Sequence, residues 1–268
     1  MGTEVIYLKT DELGNPSMDE LTELLKSNKR TIVSLMHANN EIGTMLPISE
    51  TASICNKYDH VFFHSDTVQT MGHYSFDVKE LGIDFLTCSA HKIHGPKGIG
   101  FLYVKKNIST SPLITGGAQE RSHRGGTENI YGIIGLGKAM DLAYSNLENH
   151  QKYVQKLKLK MMQEIQSMDD RISFNGETDP NKSLYTVLNV SFPKDICNSM
   201  LLFSLDIHGI AASGGSACSS GSSIGSHVLA ELPNQENKQA VRFSFSRFTT
   251  NEEIEYTLEK IRTIIKNE

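Results

Sequence analysis

Short apolar runs alternate with amphipathic stretches through the first part of the chain, and this alternation constrains the fold more than any other feature. The segments "EVIYL" (4–8), "TIVSLMH" (31–37), "HVFFHSD" (60–66), "IDFLTCS" (83–89) and "IGFLYVK" (99–105) read as strands. Between them, "SMDELTELL" (17–25) reads as an amphipathic helix with Ser17 as its N-cap and Glu20 three residues later. "PISETASICNKY" (47–58) reads as a second helix with Pro47 in its first turn. Strands alternating with helices predict an α/β architecture with a mainly parallel sheet. The last two strands are joined by a short Gly/Pro connection and also admit a single antiparallel excursion.

From 128 to 168 the pattern becomes one long helical region, of the kind that spans two domains. Fresh strand and helix signals follow in "LYTVLNVSF" (184–192), "ICNSMLLFSL" (196–205), "AVRFSFS" (240–246) and "NEEIEYTLEKIRTIIKN" (251–267). The expected organisation is a large α/β domain over 1–140 and a smaller α+β C-terminal domain over 141–268. The stretch "SGGSACSSGSSIGS" (213–226) is the one segment composed like a flexible loop.

With 268 residues, 38% of them hydrophobic and 21% charged, the chain is long and apolar enough to bury a real core. A net charge of −5 gives no general attraction to nucleic acid or anionic membranes. No apolar run is long enough to span a bilayer, and no secretory leader is visible, so the expected compartment is the cytoplasm. The four cysteines, Cys55, Cys88, Cys197 and Cys218, are far apart and form no CxxC pair. That spacing suits neither a zinc site nor a disulfide framework, so free thiols and no metal are expected.

Ligands of parallel α/β sheets gather at the carboxyl ends of the strands. Asn39, Asn40 and Glu41 follow the strand ending at 37; Asp66 and Gln69 follow the next; Ser89, His91 and Lys92 follow the third. The demand that fits this set is a pyridine-type cofactor held as a Schiff base. An amine such as Lys92 can form the imine once deprotonated, and a carboxylate such as Asp66 can pair with the ring nitrogen. Gln69 and Asn40 can bond a phenolate oxygen, and Ser89 or His91 a phosphate. The alternative for Lys92 is a solvated turn lysine, which is how Lys97 is read. The glycines of "SAHKIHGPKGIG" lack Walker A spacing and instead suit a tight strand connection.

The segments "HANNEIGTMLPI", "HSDTVQTMG", "DFLTCSAHKIHGPKGIGFLYV", "GGAQERSHRGGTENI", "SGGSACSSGSSIGSHVL" and "VRFSFSRFTTNEEIE" resemble, in order and spacing, the cysteine desulfurases. These are pyridoxal 5'-phosphate enzymes of the class V aminotransferase group, fold type I. The resemblance covers essentially the whole chain and looks closest to the branch that feeds iron–sulfur cluster assembly or nitrogenase maturation. It implies Lys92 as the Schiff-base lysine, Asp66 as the pyridinium partner, Gln69 and Asn40 as ligands of the ring hydroxyl, and Ser89 and His91 as phosphate ligands. Thr127 matches a residue that reaches the cofactor phosphate of a neighbouring subunit, which implies a homodimer. Arg242 matches the arginine that grips the substrate carboxylate, a task suited to bidentate guanidinium geometry. Cys218 matches the nucleophile that attacks the sulfur of L-cysteine, becomes a persulfide and passes sulfur to an acceptor or scaffold protein. Its Ser, Gly and Ala neighbours independently favour a reactive thiol over a packed one. His91 is either an acid–base group beside Lys92 or a structural, ring-facing histidine.

Members of the family carry, ahead of the part matched here, a small-residue loop with a threonine that cradles the phosphate and a histidine that stacks on the pyridine ring. The sequence has no counterpart of either, so the N-terminal part of the large domain is expected to be absent. Charge-assisted hydrogen bonds contribute roughly 1.5–3 kcal/mol each, so weaker cofactor retention is expected, as are an exposed strand edge and apolar surface. Beside the desulfurase reading stand a truncated or catalytically silent member or partner subunit, and a related enzyme such as a selenocysteine lyase. Cys218 argues against an aminotransferase.

Overall fold

The computed structural model describes residues 2–197, 200–215, 226–233 and 235–266. The chain forms two compact units, one comprising residues 1–21, 38–46 and 148–268, the other 22–37 and 47–147.

The second of these is built on a four-stranded sheet. Strands β1 (Thr31–Met36), β2 (Val61–Asp66) and β3 (Phe85–Ser89) run parallel in that order, and β4 (Gly100–Val104) pairs antiparallel to β3. The antiparallel excursion is thus the form that the Gly/Pro connection takes. Its geometry demands glycine at one point: Ser89 pairs with Gly100, and a Cβ on Gly100 would collide with the carbonyl oxygen of Cys88. Helices α2 (Ile48–Cys55), α3 (Val78–Leu81) and α4 (Ile130–Tyr144) complete the unit. Buried Leu136 and Ala139 of α4 pack with Leu86 and Cys88 of β3, Met71, Ala90 and Ile93, joined by half-buried Phe101, Tyr103 and Tyr144. The turn that follows β3 therefore rests on a helix and is part of the core.

In the other unit, α1 begins at Met18 and runs to Leu25, past the unit's first segment. Helix α5 (Leu147–Gln166) is followed by strands β5 (Ser173–Asn175) and β6 (Val187–Pro193), then helices α6 (Leu201–Ile207) and α7 (His227–Ala230), strand β7 (Lys238–Ser244) and helix α8 (Asn251–Lys266). The three strands form an antiparallel sheet in the order β5-β6-β7. Every residue of β6 is buried, including the polar Asn189, whose amide is hydrogen-bonded to the Glu41 carbonyl and to Asn175. Val154, Leu157, Met161 and Ile165 of α5 and Ile254, Leu258 and Ile261 of α8 supply buried faces at helical spacing.

Three local expectations are revised. Residues 4–8 form no strand, and Val5 and Tyr7 stand 68% and 88% exposed; apolar alternation makes a strand only where a neighbouring strand accepts its backbone. The helical region 128–168 is two helices, because α4 ends at Ser145, whose hydroxyl turns back onto the Leu142 carbonyl. At α1, Ser17 Oγ accepts from Glu20 N at 3.2 Å, but the Glu20 carboxylate accepts from Lys9 N at 2.7 Å rather than closing a capping box. Strand β5, three residues long, carries no periodic signal. Strand β1 is an edge of its sheet, and Ile32 and Met36 on it are 68% and 48% exposed. Among the described residues, no helix is long and apolar enough to cross a membrane, and no group of three His, Cys, Asp or Glu side chains could hold a metal.

Candidate functional site

Five of the residues singled out from sequence stand at the carboxyl ends of β2 and β3. Asp66 closes β2, opposite Met36 of β1 and Thr87 of β3. Its side chain is exposed and commits Oδ1 to Val68 N at 2.8 Å. The backbone then turns tightly, with Thr70 N and Met71 N both donating to the Thr67 carbonyl, at 2.9 and 2.7 Å. Gln69 sits in this turn, half-buried, and its amide has no hydrogen-bond partner among the described residues.

A side chain that periodicity did not single out anchors the same turn. His37, at the end of β1, is buried, its Nδ1 pairs with Thr70 Oγ1 at 2.9 Å, and its backbone N donates to the Asp66 carbonyl at 2.8 Å. Burial pushes the imidazole down to about 4, so His37 is a neutral strut; Tyr74 and Phe76 pack edge-on against it. A histidine ending an apolar strand was the only sequence signal for it.

Beyond β3 the chain makes a single 3₁₀ turn, Ala90–Ile93, closed by His94 in the left-handed region at φ 64°. Ser89 Oγ and His91 Nδ1 lie 2.8 Å apart. Lys92 is exposed on this turn, and its ammonium has no hydrogen-bond or ion-pair partner among the described residues. Thr127 is exposed in the segment ahead of α4, where Arg124 Nη1 donates to the carbonyls of Gly126 and Thr127 at 2.9 and 3.1 Å.

Asn40 and Arg242 belong to the other unit, where they touch. Asn39 organises a turn by accepting from Glu41 N and Ile42 N on Oδ1, at 2.8 and 3.1 Å. Asn40 stands half-buried on it, and its carbonyl accepts from Arg242 Nη1 at 2.7 Å. Arg242 is fixed in β7 opposite Asn189 and exchanges backbone bonds with Ser213 at 2.6 and 3.2 Å. Sequence spacing read Glu41 only as one polar residue after a strand and passed over Ser226, yet Ser226 Oγ donates to Glu41 Oε2 at 2.5 Å. The polar run "ANNE" was the signal for Glu41. Cys218 lies outside the described residues. The other three cysteines are buried and none is in a disulfide; burial raises the Cys55 thiol, with the charge of Asp84, to about 12, and raises that of Cys88 to about 11.

Comparison with known proteins decides the family. Residues 1–257 match the aminotransferase class-V family. The chain belongs to that family. It is 41% identical over 268 residues to the cysteine desulfurase IscS of Dictyoglomus turgidum, covering 99% of this chain and 67% of the relative. The fold matches a NifS-like protein with a TM-score of 0.88 and 34% identity, over 100% of this chain and 69% of the other. It also matches a structure titled SspA in complex with cysteine, at a TM-score of 0.73 and 30% identity, over 93% and 68% of the two chains. The chain spans about two thirds of the length of the curated relatives it matches. The architecture is that of a fold type I enzyme, and the enzymes of this family depend on pyridoxal phosphate.

The donor set at the ends of β2 and β3 suits that cofactor. Asp66 Oδ2 accepts no hydrogen bond among the described residues, the Gln69 amide is uncommitted, and the Lys92 amine is unengaged. An acid for a ring nitrogen, a donor for a ring oxygen and an amine for a carbonyl are all at hand.

Proposed function

We propose that this chain is a cysteine desulfurase, taking L-cysteine to L-alanine and capturing the sulfur as a persulfide on Cys218. The observation that carries the proposal is the pairing of an unengaged amine, Lys92, with an exposed carboxylate, Asp66, on neighbouring strand ends. Pyridoxal 5'-phosphate, when bound, supplies a carbonyl that takes up an amine and a ring that withdraws electrons. Lys92 would hold it and, once released, carry protons at Nζ. Asp66 would keep a proton on the ring nitrogen; Gln69 and Asn40 would bond the ring hydroxyl, and Ser89 and His91 the phosphate. Arg242 would grip the carboxylate of L-cysteine. The Cys218 thiolate would attack the substrate sulfur: an S–S bond forms, the C–S bond breaks, its electron pair stays on carbon, and a proton completes the methyl group of alanine. High thiol pKa values from burial keep Cys55 and Cys88 protonated, which supports Cys218 as the nucleophile.

Thr127 would serve the phosphate of a second copy's cofactor, making a homodimer the working form. The persulfide would supply an acceptor or scaffold protein for iron–sulfur cluster assembly or another sulfur-transfer pathway. Buried thiols outside any disulfide are consistent with a reducing cytoplasm.

The test is to incubate the chain with pyridoxal phosphate, reduce with borohydride and map the adduct by mass spectrometry. Label on Lys92 is expected, as is loss of sulfide release from L-cysteine in Cys218→Ala with the label retained. An unlabelled Lys92 would assign the chain to a catalytically silent member, and sulfide release by Cys218→Ala would refute the persulfide route.

A further inference from the structure

The carboxylate of Glu41 is 1% exposed and forms no ion pair among the described residues. Burying such a group is costly unless its acceptors are used. Its backbone is fixed on both sides: the N–H donates to Asn39 Oδ1 at 2.8 Å, and the carbonyl accepts from Asn189 Nδ2 at 3.0 Å. Asn189 is itself held by Asn175, and Asn175 by Gln235, at 2.8 and 2.9 Å. The side chain therefore points from a rigid base.

It points at two residues far from it in sequence. Ser226 Oγ accepts from Leu229 N at 3.0 Å, capping α7. A hydroxyl has one proton, so the proton of Ser226 is directed to Glu41 Oε2, 2.5 Å away. Gly215 lies alongside: a Cβ built on it would be 3.1 Å from Glu41 Oε2 and 3.1 Å from Ser226 Cβ. Gly215 is tied back in turn, its carbonyl accepting from Ser213 Oγ at 3.1 Å, while Ser213 is paired to Arg242. Gly215 and Ser226 are the residues between which the sequence carries Cys218.

The geometry points to Glu41 as a positioning residue that holds Ser226 beside Gly215, the two residues that bracket the stretch carrying Cys218 in the sequence. This rests on the desulfurase reading for its chemical consequence, though not for the clamp itself. Glu41 acts through Ser226, and a side chain at 215 would press on both the Glu41 carboxylate and Ser226, with its Cβ 3.1 Å from each.

Two readouts separate the clamp from the reaction. Hydrogen exchange of amides 213–215 and 226–229, measured on the chain alone, is expected to accelerate at least tenfold in Ser226→Ala and Glu41→Gln, but not in Ser226→Thr, which keeps the hydroxyl. Amides of β6 are expected to stay unchanged, which distinguishes a local clamp from general destabilisation. Single-turnover persulfide formation on Cys218 is then expected to fall about tenfold or more in the first two variants, since small misplacements of reacting groups have effects of that size, with KM for L-cysteine and labelling of Lys92 unchanged. Rescue by Ser226→Thr should restore the rate. Unchanged exchange in Ser226→Ala would overturn the clamp whether or not the chain is active. Accelerated exchange in a wild-type background that forms no persulfide would leave the clamp standing and refute the desulfurase reading.

Discussion

Lys158 is the lysine whose surroundings act on it most strongly. It is 2% exposed, and its ammonium donates to Ser183 Oγ at 2.7 Å and to the Leu184 carbonyl at 2.9 Å, with no ion pair among the described residues. Burial lowers its pKa from the ordinary 10.5 to about 8. On that ground alone a depressed lysine resembles a catalytic amine, but its donors are spent on the loop that braces Gly43 through Leu184 N. Lys92, by contrast, is exposed and unengaged. The linkage sign follows from the depression. Between about pH 8 and 10.5 the folded chain has released a proton that the unfolded chain still holds, so stability from this residue rises with pH. Urea unfolding of wild type and Lys158→Met is expected to diverge by about 2 kcal/mol in favour of wild type between pH 8 and 10. Parallel curves would refute the depressed pKa.

At the scale of elements, two glycines with the same sequence signal play opposite parts. Gly100 opens β4 against β3, where a Cβ would run into the Cys88 carbonyl. Gly137 lies in α4, where a Cβ would meet nothing within 4 Å. Gly100→Ala is expected to lower stability by about 1–3 kcal/mol through overpacking, and Gly137→Ala to raise it by about 0.5–1 kcal/mol through helix propensity. Urea midpoints of the two variants must move in opposite directions. The same contrast explains what the sequence disclosed. Strands β1 to β4 were legible because each is a short apolar run bounded by turn residues, and the strand-end rule then located Asp66, Gln69, Ser89 and Lys92 at one end of their sheet. Residues 4–8 have the same apolar pattern but no partner strand, and pattern alone cannot report a partner. The pairing of Glu41 with Ser226 spans 185 positions, a separation at which local spacing carries no information.

At the scale of the whole molecule, the homodimer proposed from Thr127 has a physical requirement. A residue that serves another copy's cofactor must lie at the contact, and α4, which begins at Ile130, would then be drawn into it. Those turns bury Gly132 and Leu136 inward and leave Ile130, Tyr131 and Ile134 at 60%, 90% and 66% exposure. Each such side chain gains about 1.5–3 kcal/mol on full burial, and a two-fold contact counts every gain twice. Lysine keeps the helix, being a good helix former, but forbids an apolar contact. The double variant Tyr131→Lys/Ile134→Lys is therefore expected to sediment as a monomer at concentrations where wild type is a dimer. Ile207→Lys on α6, which is 66% exposed but remote in sequence from Thr127, should leave the dimer intact. Because the second copy would supply a phosphate ligand, the monomeric variant is also expected to lose pyridoxal phosphate on gel filtration more readily than wild type, although Lys92 and Asp66 are untouched. A double variant that still dimerises would place the contact away from α4. One that becomes monomeric yet keeps its cofactor as firmly as wild type would remove Thr127 from the site.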